Sequence, residues 1–174
     1  MDKGISIKQL TMRFGENTAL DGIDLSFAPE GIYGLLGRNG AGKTTLLNLI
    51  ANRLFPTQGE VLIDGEPVRE NDRTLSRVFY VGEKTLMPDT TTVKQMFTWT
   101  ADFYPQLDMA YAQRLADLFG LNMRKKLKSL STGYLTIAKL ILGLSCDAPY
   151  LLLDEPVLGL DANHRDLFYR ELLA

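Results

Sequence analysis

The run Gly37-Arg38-Asn39-Gly40-Ala41-Gly42-Lys43-Thr44 carries the strongest chemical pattern in this chain. It fits G-x-x-x-x-G-K-[ST], a loop that holds phosphate groups. Glycines without a Cβ let backbone N–H groups curl around anionic oxygens. Lys43 can reach the β- and γ-phosphates of a nucleotide, and the Thr44 hydroxyl can ligate Mg²⁺. A second constellation is Leu151-Leu152-Leu153-Asp154-Glu155-Pro156, with two adjacent carboxylates at the end of an apolar run. Asp154 can hold a Mg²⁺ that bridges phosphate oxygens, directly or through water. Glu155 would point the other way along the strand end, where it can orient or deprotonate a water. The third is Leu130-Ser131-Thr132-Gly133-Tyr134, ahead of a long apolar stretch. Ser131 sits where an N-cap belongs and Gly133 offers an open N–H, so this helix start can bind an anion. On its own it reads first as an ordinary helix start, because helix starts are common.

These groups need elements to position them. Gly31 to Leu36 is a short apolar run that reads as a buried strand. Thr44 to Ile50 reads as a helix, with Leu46, Leu47, Ile50 and Leu54 on one face. Strand, glycine loop and helix together aim a helix N-terminus at a phosphate. Ile5 to Leu10 and Ile23 to Phe27 alternate as strands do. Gly59 to Gly65 is a strand closed by an Asp-Gly turn, and Val78 to Val81 is another short strand.

The middle of the chain changes period. Val93, Met96, Phe97 and Tyr104 share a helical face, as do Tyr111, Leu115, Leu118 and Phe119 before the stop at Gly120. Gly133 to Cys146 is apolar nearly all round and predicts a buried helix; Lys139 and Asp147 interrupt the apolar region from Leu135 to Leu153. Tyr150 to Leu153 predicts a buried strand, and Asp161 the N-cap of a last helix. The order predicts an α/β fold with a helical insertion between two parts of one sheet. Residues 1–82 and 147–174 would form the core and 83–146 the helical subdomain.

With 174 residues, 45% of them hydrophobic and 23% charged, the chain can bury one soluble core. A formal net charge of -2 provides no global basic field for nucleic acid. The single cysteine, Cys146, excludes an internal disulfide framework and reads as a small buried hydrophobe in a reducing compartment. No stretch of about 18 uninterrupted apolar residues occurs, and Met1-Asp2-Lys3-Gly4 begins no apolar signal segment.

Taken in order, the three motifs resemble the ATPase subunit of ABC transporters, over essentially the whole chain. Gly37 to Thr44 is similar to the Walker A motif, Leu151 to Glu155 to Walker B with its catalytic glutamate, and Leu130 to Tyr134 to the signature LSGGQ. Gly159-Leu160-Asp161 resembles the D-loop, in the form typical of exporter-type branches. The resemblance implies a P-loop NTPase fold with a RecA-like core, an N-terminal antiparallel β region and an inserted α-helical subdomain. It implies ATP and Mg²⁺ as cofactors. Phe14 would stack on adenine, as the aromatic A-loop residue does. Gly37, Asn39, Gly40, Ala41, Gly42, Lys43, Thr44 and Thr45 would hold the phosphates, with Ser131 and Gly133 reaching those of a second subunit. Thr44 and Asp154 would meet the metal.

There are four departures from the family pattern. Tyr80-Val81-Gly82-Glu83 places Glu83 where the Q-loop glutamine belongs; its carboxylate can meet Mg²⁺ or water but adds negative charge near the γ-phosphate. Thr132 and Tyr134 replace a glycine and the glutamine of the signature. Phe14 stands where tyrosine is usual, which keeps stacking and loses the hydroxyl. The only histidine, His164, lies too early to match the switch histidine and reads as a surface or capping residue. The expectation is therefore a C-terminally truncated subunit with weak turnover of its own.

The function expected from the resemblance is ATP hydrolysis that powers a transmembrane permease, of the export type, at the cytoplasmic face of the cell membrane. Two such subunits would dimerise head to tail, and the permease would dock near Glu83 to Phe103, where Leu86, Met87, Phe97, Trp99 and Phe103 gather. A soluble ATPase of the same superfamily acting on DNA or ribosomes would need more basic surface than the short run Arg124 to Lys128. A GTPase would need an Asn-Lys-x-Asp motif, which the sequence lacks. A nucleotide-binding module without turnover is the remaining alternative.

Overall fold

The computed structural model describes residues 3–84 and 87–173. It divides into two compact units between Val78 and Phe79.

The first unit holds a four-stranded antiparallel sheet. β1 (Ile5–Phe14) pairs with β2 (Asn17–Phe27) on one side and β3 (Gln58–Ile63) on the other, and β3 pairs with the short β4 (Glu66–Pro67). Ile5, Ile7, Leu10 and Met12 of β1 are buried, as are Val61, Leu62 and Ile63 of β3. The Asp64-Gly65 turn has positive φ at both residues (51° and 82°), the hairpin geometry that the sequence signals. α1 (Lys43–Ile50) lies against β2 and buries Leu46, Leu47, Leu49 and Ile50. Leu54 lies beyond the helix end, only partly buried.

The strand expected over Gly31 to Leu36 does not form. No residue from Gly31 to Arg38 is in regular structure, and Ile32, Tyr33 and Leu36 are exposed. A strand exists only through a partner ladder, and among the described residues none is offered here. Instead Tyr33 folds back: its ring meets Phe27 edge-on at 5.1 Å, and its hydroxyl accepts from Ala28 N–H at 3.0 Å. Nor do the strands make one sheet. Among the described residues β5 (Val78–Val81), which follows the short helix α2 (Asp72–Leu75), forms a two-stranded sheet with β6 (Tyr150–Leu153).

The second unit packs helices α3 (Val93–Ala101), α4 (Met109–Leu118), α5 (Thr132–Ser145) and α6 (Ala162–Leu172) with these two strands around one core. Met96, Phe97, Leu115, Ile137, Leu140, Ile141 and Phe168 are its largest fully buried members. The helix starts are written in side chains: Thr92 with Gln95 forms a capping box on α3, and Asp108 accepts from Ala110 and Tyr111 N–H on α4. Leu118 departs from the expected face and is exposed, while Ala112 and Ala116 complete the buried stripe. Gly120, at φ 64°, ends that helix as the sequence indicates. Cys146 is fully buried, and burial raises its thiol pKa to about 12.

Candidate functional site

In the first unit, Lys43 opens α1 and Gly42 is its N-cap, at φ 87° in the left-handed region. Gly42 has no side chain, so α1 starts without a side-chain cap. A Cβ at Gly42 would lie 2.8 Å from Ala19 O and Leu20 Cδ2, so β2 itself forbids a larger residue. The loop closes through Ala41 N–H to Arg38 O at 3.1 Å. Lys43 Nζ donates to Gly37 O at 2.8 Å and Arg38 O at 3.0 Å, which holds a cation within the curl of the backbone. Asn39, Gly40 and Thr44 are exposed, and Thr45 is partly so. Phe14 is 47% exposed at the β1–β2 hairpin, a position open to a flat ligand.

In the second unit, Asp154 and Glu155 follow β6 directly. Asp154 N–H donates to Val81 O at 2.9 Å, and Asp154 Oδ2 accepts from the Tyr80 hydroxyl at 3.1 Å. Glu155 is exposed and takes φ 46°, an unfavourable backbone for a residue with a Cβ. Glu83 lies two residues beyond β5, and Lys139 Nζ of α5 donates to Gly82 O and Glu83 O, both at 2.8 Å. Burial lowers the Lys139 pKa, and the charge of Glu83 opposes that shift.

Ser131 caps α5 as expected, its hydroxyl accepting from Tyr134 N–H at 3.3 Å. Gly133 has a structural constraint besides: a Cβ there would fall 2.7 Å from Gly159 O. The helix start and the Gly159-Leu160-Asp161 turn thus touch backbone to backbone, and Thr136 Oγ1 adds a bond to Leu158 O at 3.2 Å. Tyr134 meets the His164 ring edge-on at 5.9 Å. His164 belongs to the α6 cap. Asp161 accepts from its N–H at 2.9 Å and pairs with its Nδ1 at 2.7 Å, which holds the Asp161 carboxyl below its ordinary range.

Sequence reasoning missed Tyr80 and Lys139. Tyr80 had no visible signal, but Lys139 did: it is the one charge in a helix apolar nearly all round. Among the described residues no cluster of three or more His, Cys, Asp or Glu could hold a metal. The Thr44 hydroxyl in the first unit and the Asp154 carboxylate in the second are each hard oxygen donors.

A family model described as ABC transporter matches residues 20–158. The chain belongs to the family of ABC transporter ATP-binding proteins. It is 34% identical over 158 residues to the ABC transporter ATP-binding protein YtrB of Bacillus subtilis, covering 91% of this chain and 54% of that protein. It is 29% identical over 167 residues to the ribose import ATP-binding protein RbsA 2 of Rhizobium etli, covering 90% and 33%. The chain thus spans about half the length of YtrB and a third of RbsA 2. A putative ABC transporter ATP-binding protein from Pyrococcus furiosus shares the fold, with a TM-score of 0.82 at 24% identity over 98% of this chain and 84% of that one. The fold is that of the P-loop ABC ATPases, whose members hydrolyse ATP. No helix among the described residues is long and apolar enough to cross a membrane.

Proposed function

We propose that this chain binds Mg²⁺-ATP through the Gly37 to Thr45 loop and Asp154, and that its hydrolysis powers a transmembrane permease. The observation that carries the reading is Lys43, at the start of a helix without a side-chain cap, with its ammonium held inside the loop's own curl. Incoming phosphate oxygens would take over Lys43 Nζ from the Gly37 and Arg38 carbonyls and accept from the N–H groups of Gly40 to Thr45. Phe14 would stack on the base.

Bound Mg²⁺ would supply charge neutralisation across the β- and γ-phosphates, with the Thr44 hydroxyl and Asp154 as its protein contacts. The Tyr80 hydroxyl donates to Asp154 Oδ2 and so orients that carboxylate. Glu155, exposed at the strand end, would take the proton of the attacking water. Glu83 would orient that water or meet the metal shell.

A second copy or a related subunit would complete the site head to tail, its Ser131 and Gly133 closing over the ATP. Ser131 is exposed at the start of the 14-residue α5, which supports that reading. Permease docking is supported by a largely apolar groove of about 500 Å³, where Phe79, Met87, Pro88, Trp99, Phe103 and Tyr104 are joined by the polar Thr100 and Asp102. Trp99 and Phe103 are 43% and 79% exposed, whereas Phe97 is core, and Leu86 lies outside the described residues. Docking would hold the protein on the cytoplasmic face of the membrane. Export as the direction rests on Gly159-Leu160-Asp161 alone.

The test is phosphate release from ATP by the complete polypeptide, alone and with its permease in vesicles. Stimulation by the permease, lost in Phe103→Glu, is the expected result. Stimulation by ribosomes or DNA instead would favour a soluble ATPase of the same family.

A further inference from the structure

Lys139 is the one charged side chain of α5, and it lies on a helix that buries eight of its fourteen residues. Its ammonium does not reach water alone but grips two successive peptide carbonyls, Gly82 O and Glu83 O, each at 2.8 Å. Those carbonyls flank the Glu83 Cα. A cation fixed on both restrains rotation on either side of that atom, and so sets where the Glu83 side chain points. The neighbouring residues are fixed as well. The Tyr80 ring folds over Gly82, where a Cβ would fall 2.6 Å from Tyr80 Cε1, and its hydroxyl holds Asp154. Residues 80–83 are thus tied to the Walker B carboxylate through Tyr80 and to α5 through Lys139.

We propose that Lys139 is a positioning residue for ATP hydrolysis, which aims Glu83 at the nucleotide and joins it to the helix that begins at Ser131. The proposal rests on the reading of Glu83 given above. Two features support it beyond the hydrogen bonds. Where a neutral glutamine suits the family pattern, Glu83 brings a negative charge, and a nearby ammonium offsets it. The helix from Ser131 to Lys139 is about 12 Å of continuous α-helix at the usual rise. Closure of a second subunit over Ser131 would therefore bear on Glu83 through a rigid element. Loss of the ammonium would leave both carbonyls without this donor and free the turn.

The experiment compares K139M, K139R and E83A in the complete polypeptide, reading kcat and ATP affinity separately. K139M is expected to lower kcat about tenfold or more, as small misplacements of reacting groups do, with ATP affinity kept within about twofold. K139R, whose guanidinium can donate to both carbonyls, is expected to stay within about threefold of the wild type. In an E83A background, K139M should cost little more, because the side chain it positions is already gone. Wild-type kcat in K139M with a slow E83A would overturn the proposal and leave the reading of Glu83 standing. An equal loss from K139M in both backgrounds would make Lys139 a purely structural residue and also overturn it. Wild-type turnover in E83A would overturn the reading of Glu83 itself and the proposal with it. Should K139M not fold, K139Q, which keeps an amide donor, is read by the same comparisons.

Discussion

The Tyr80 hydroxyl donates to Asp154 Oδ2 at 3.1 Å, across 74 residues of sequence. The bond constrains the carboxylate that the proposed mechanism assigns to Mg²⁺. Groups that orient a metal ligand typically change metal affinity about 10- to 100-fold when removed. Tyr80→Phe is therefore expected to raise the Mg²⁺ concentration for half-maximal ATP hydrolysis about tenfold, with the rate recovered at saturating Mg²⁺. A Mg²⁺ titration of phosphate release decides it; a superimposable curve would give the bond to folding alone.

The parts legible in the sequence are those whose physics is local. The Asp-Gly turn and the caps Ser131 and Asp161 depend on neighbours a few residues away, and each has the predicted geometry. Gly31 to Leu36 was misread because composition makes a segment fit for a strand but only a partner ladder makes it one. Tyr33 had a nearer contact in Phe27. The roles of Tyr80 and Lys139 were illegible for the complementary reason: their partners lie 74 and 57 residues away along the chain. The adjacent carboxylates Asp154 and Glu155 could be read; what steadies them could not.

Lys43→Ala removes the ammonium that the Gly37 and Arg38 carbonyls hold within the loop. Charge-assisted hydrogen bonds contribute roughly 1.5–3 kcal/mol, so ATP affinity should fall about one to two decades. Titration calorimetry checks this. An unchanged dissociation constant would exclude the loop as the phosphate site.

Gly133→Ala places a methyl group 2.7 Å from the Gly159 carbonyl oxygen. Both partners are backbone, so α5 and the turn before α6 must separate. Forcing atoms into a packed contact costs about 1–3 kcal/mol, which should lower the melting temperature by several degrees. An unaltered melting curve would mean that the two segments part without cost. That outcome would remove the packing explanation for this glycine.

Cys146 should be silent toward thiol reagents in the native protein. Its side chain is buried, and its pKa is raised from 9.0 to about 12. Because the folded pKa lies above the unfolded one, the neutral thiol favours the native state fully below pH 9 and loses that advantage as the pH climbs towards 12. Labelling by a disulfide reagent at pH 8 should therefore follow the unfolding rate. Stoichiometric labelling within seconds would contradict the burial.

Glu155 combines exposure, a left-handed backbone and a place directly after Asp154. Glu155→Gln keeps the shape and backbone but removes the base. In the complete polypeptide hydrolysis should fall about 10²–10⁴-fold while ATP still binds. The uncleaved nucleotide should then hold two subunits together, visible as an ATP-dependent dimer in size-exclusion chromatography. Glu155→Gly separates the strain from the chemistry. It should be as inactive as the glutamine variant, yet melt at the wild-type temperature or above, since the φ of 46° is strained only for a residue with a Cβ. Wild-type hydrolysis in either variant would show that the base lies elsewhere. A lower melting temperature in the glycine variant would show that the Glu155 side chain, rather than its neighbours, holds the strand end in place.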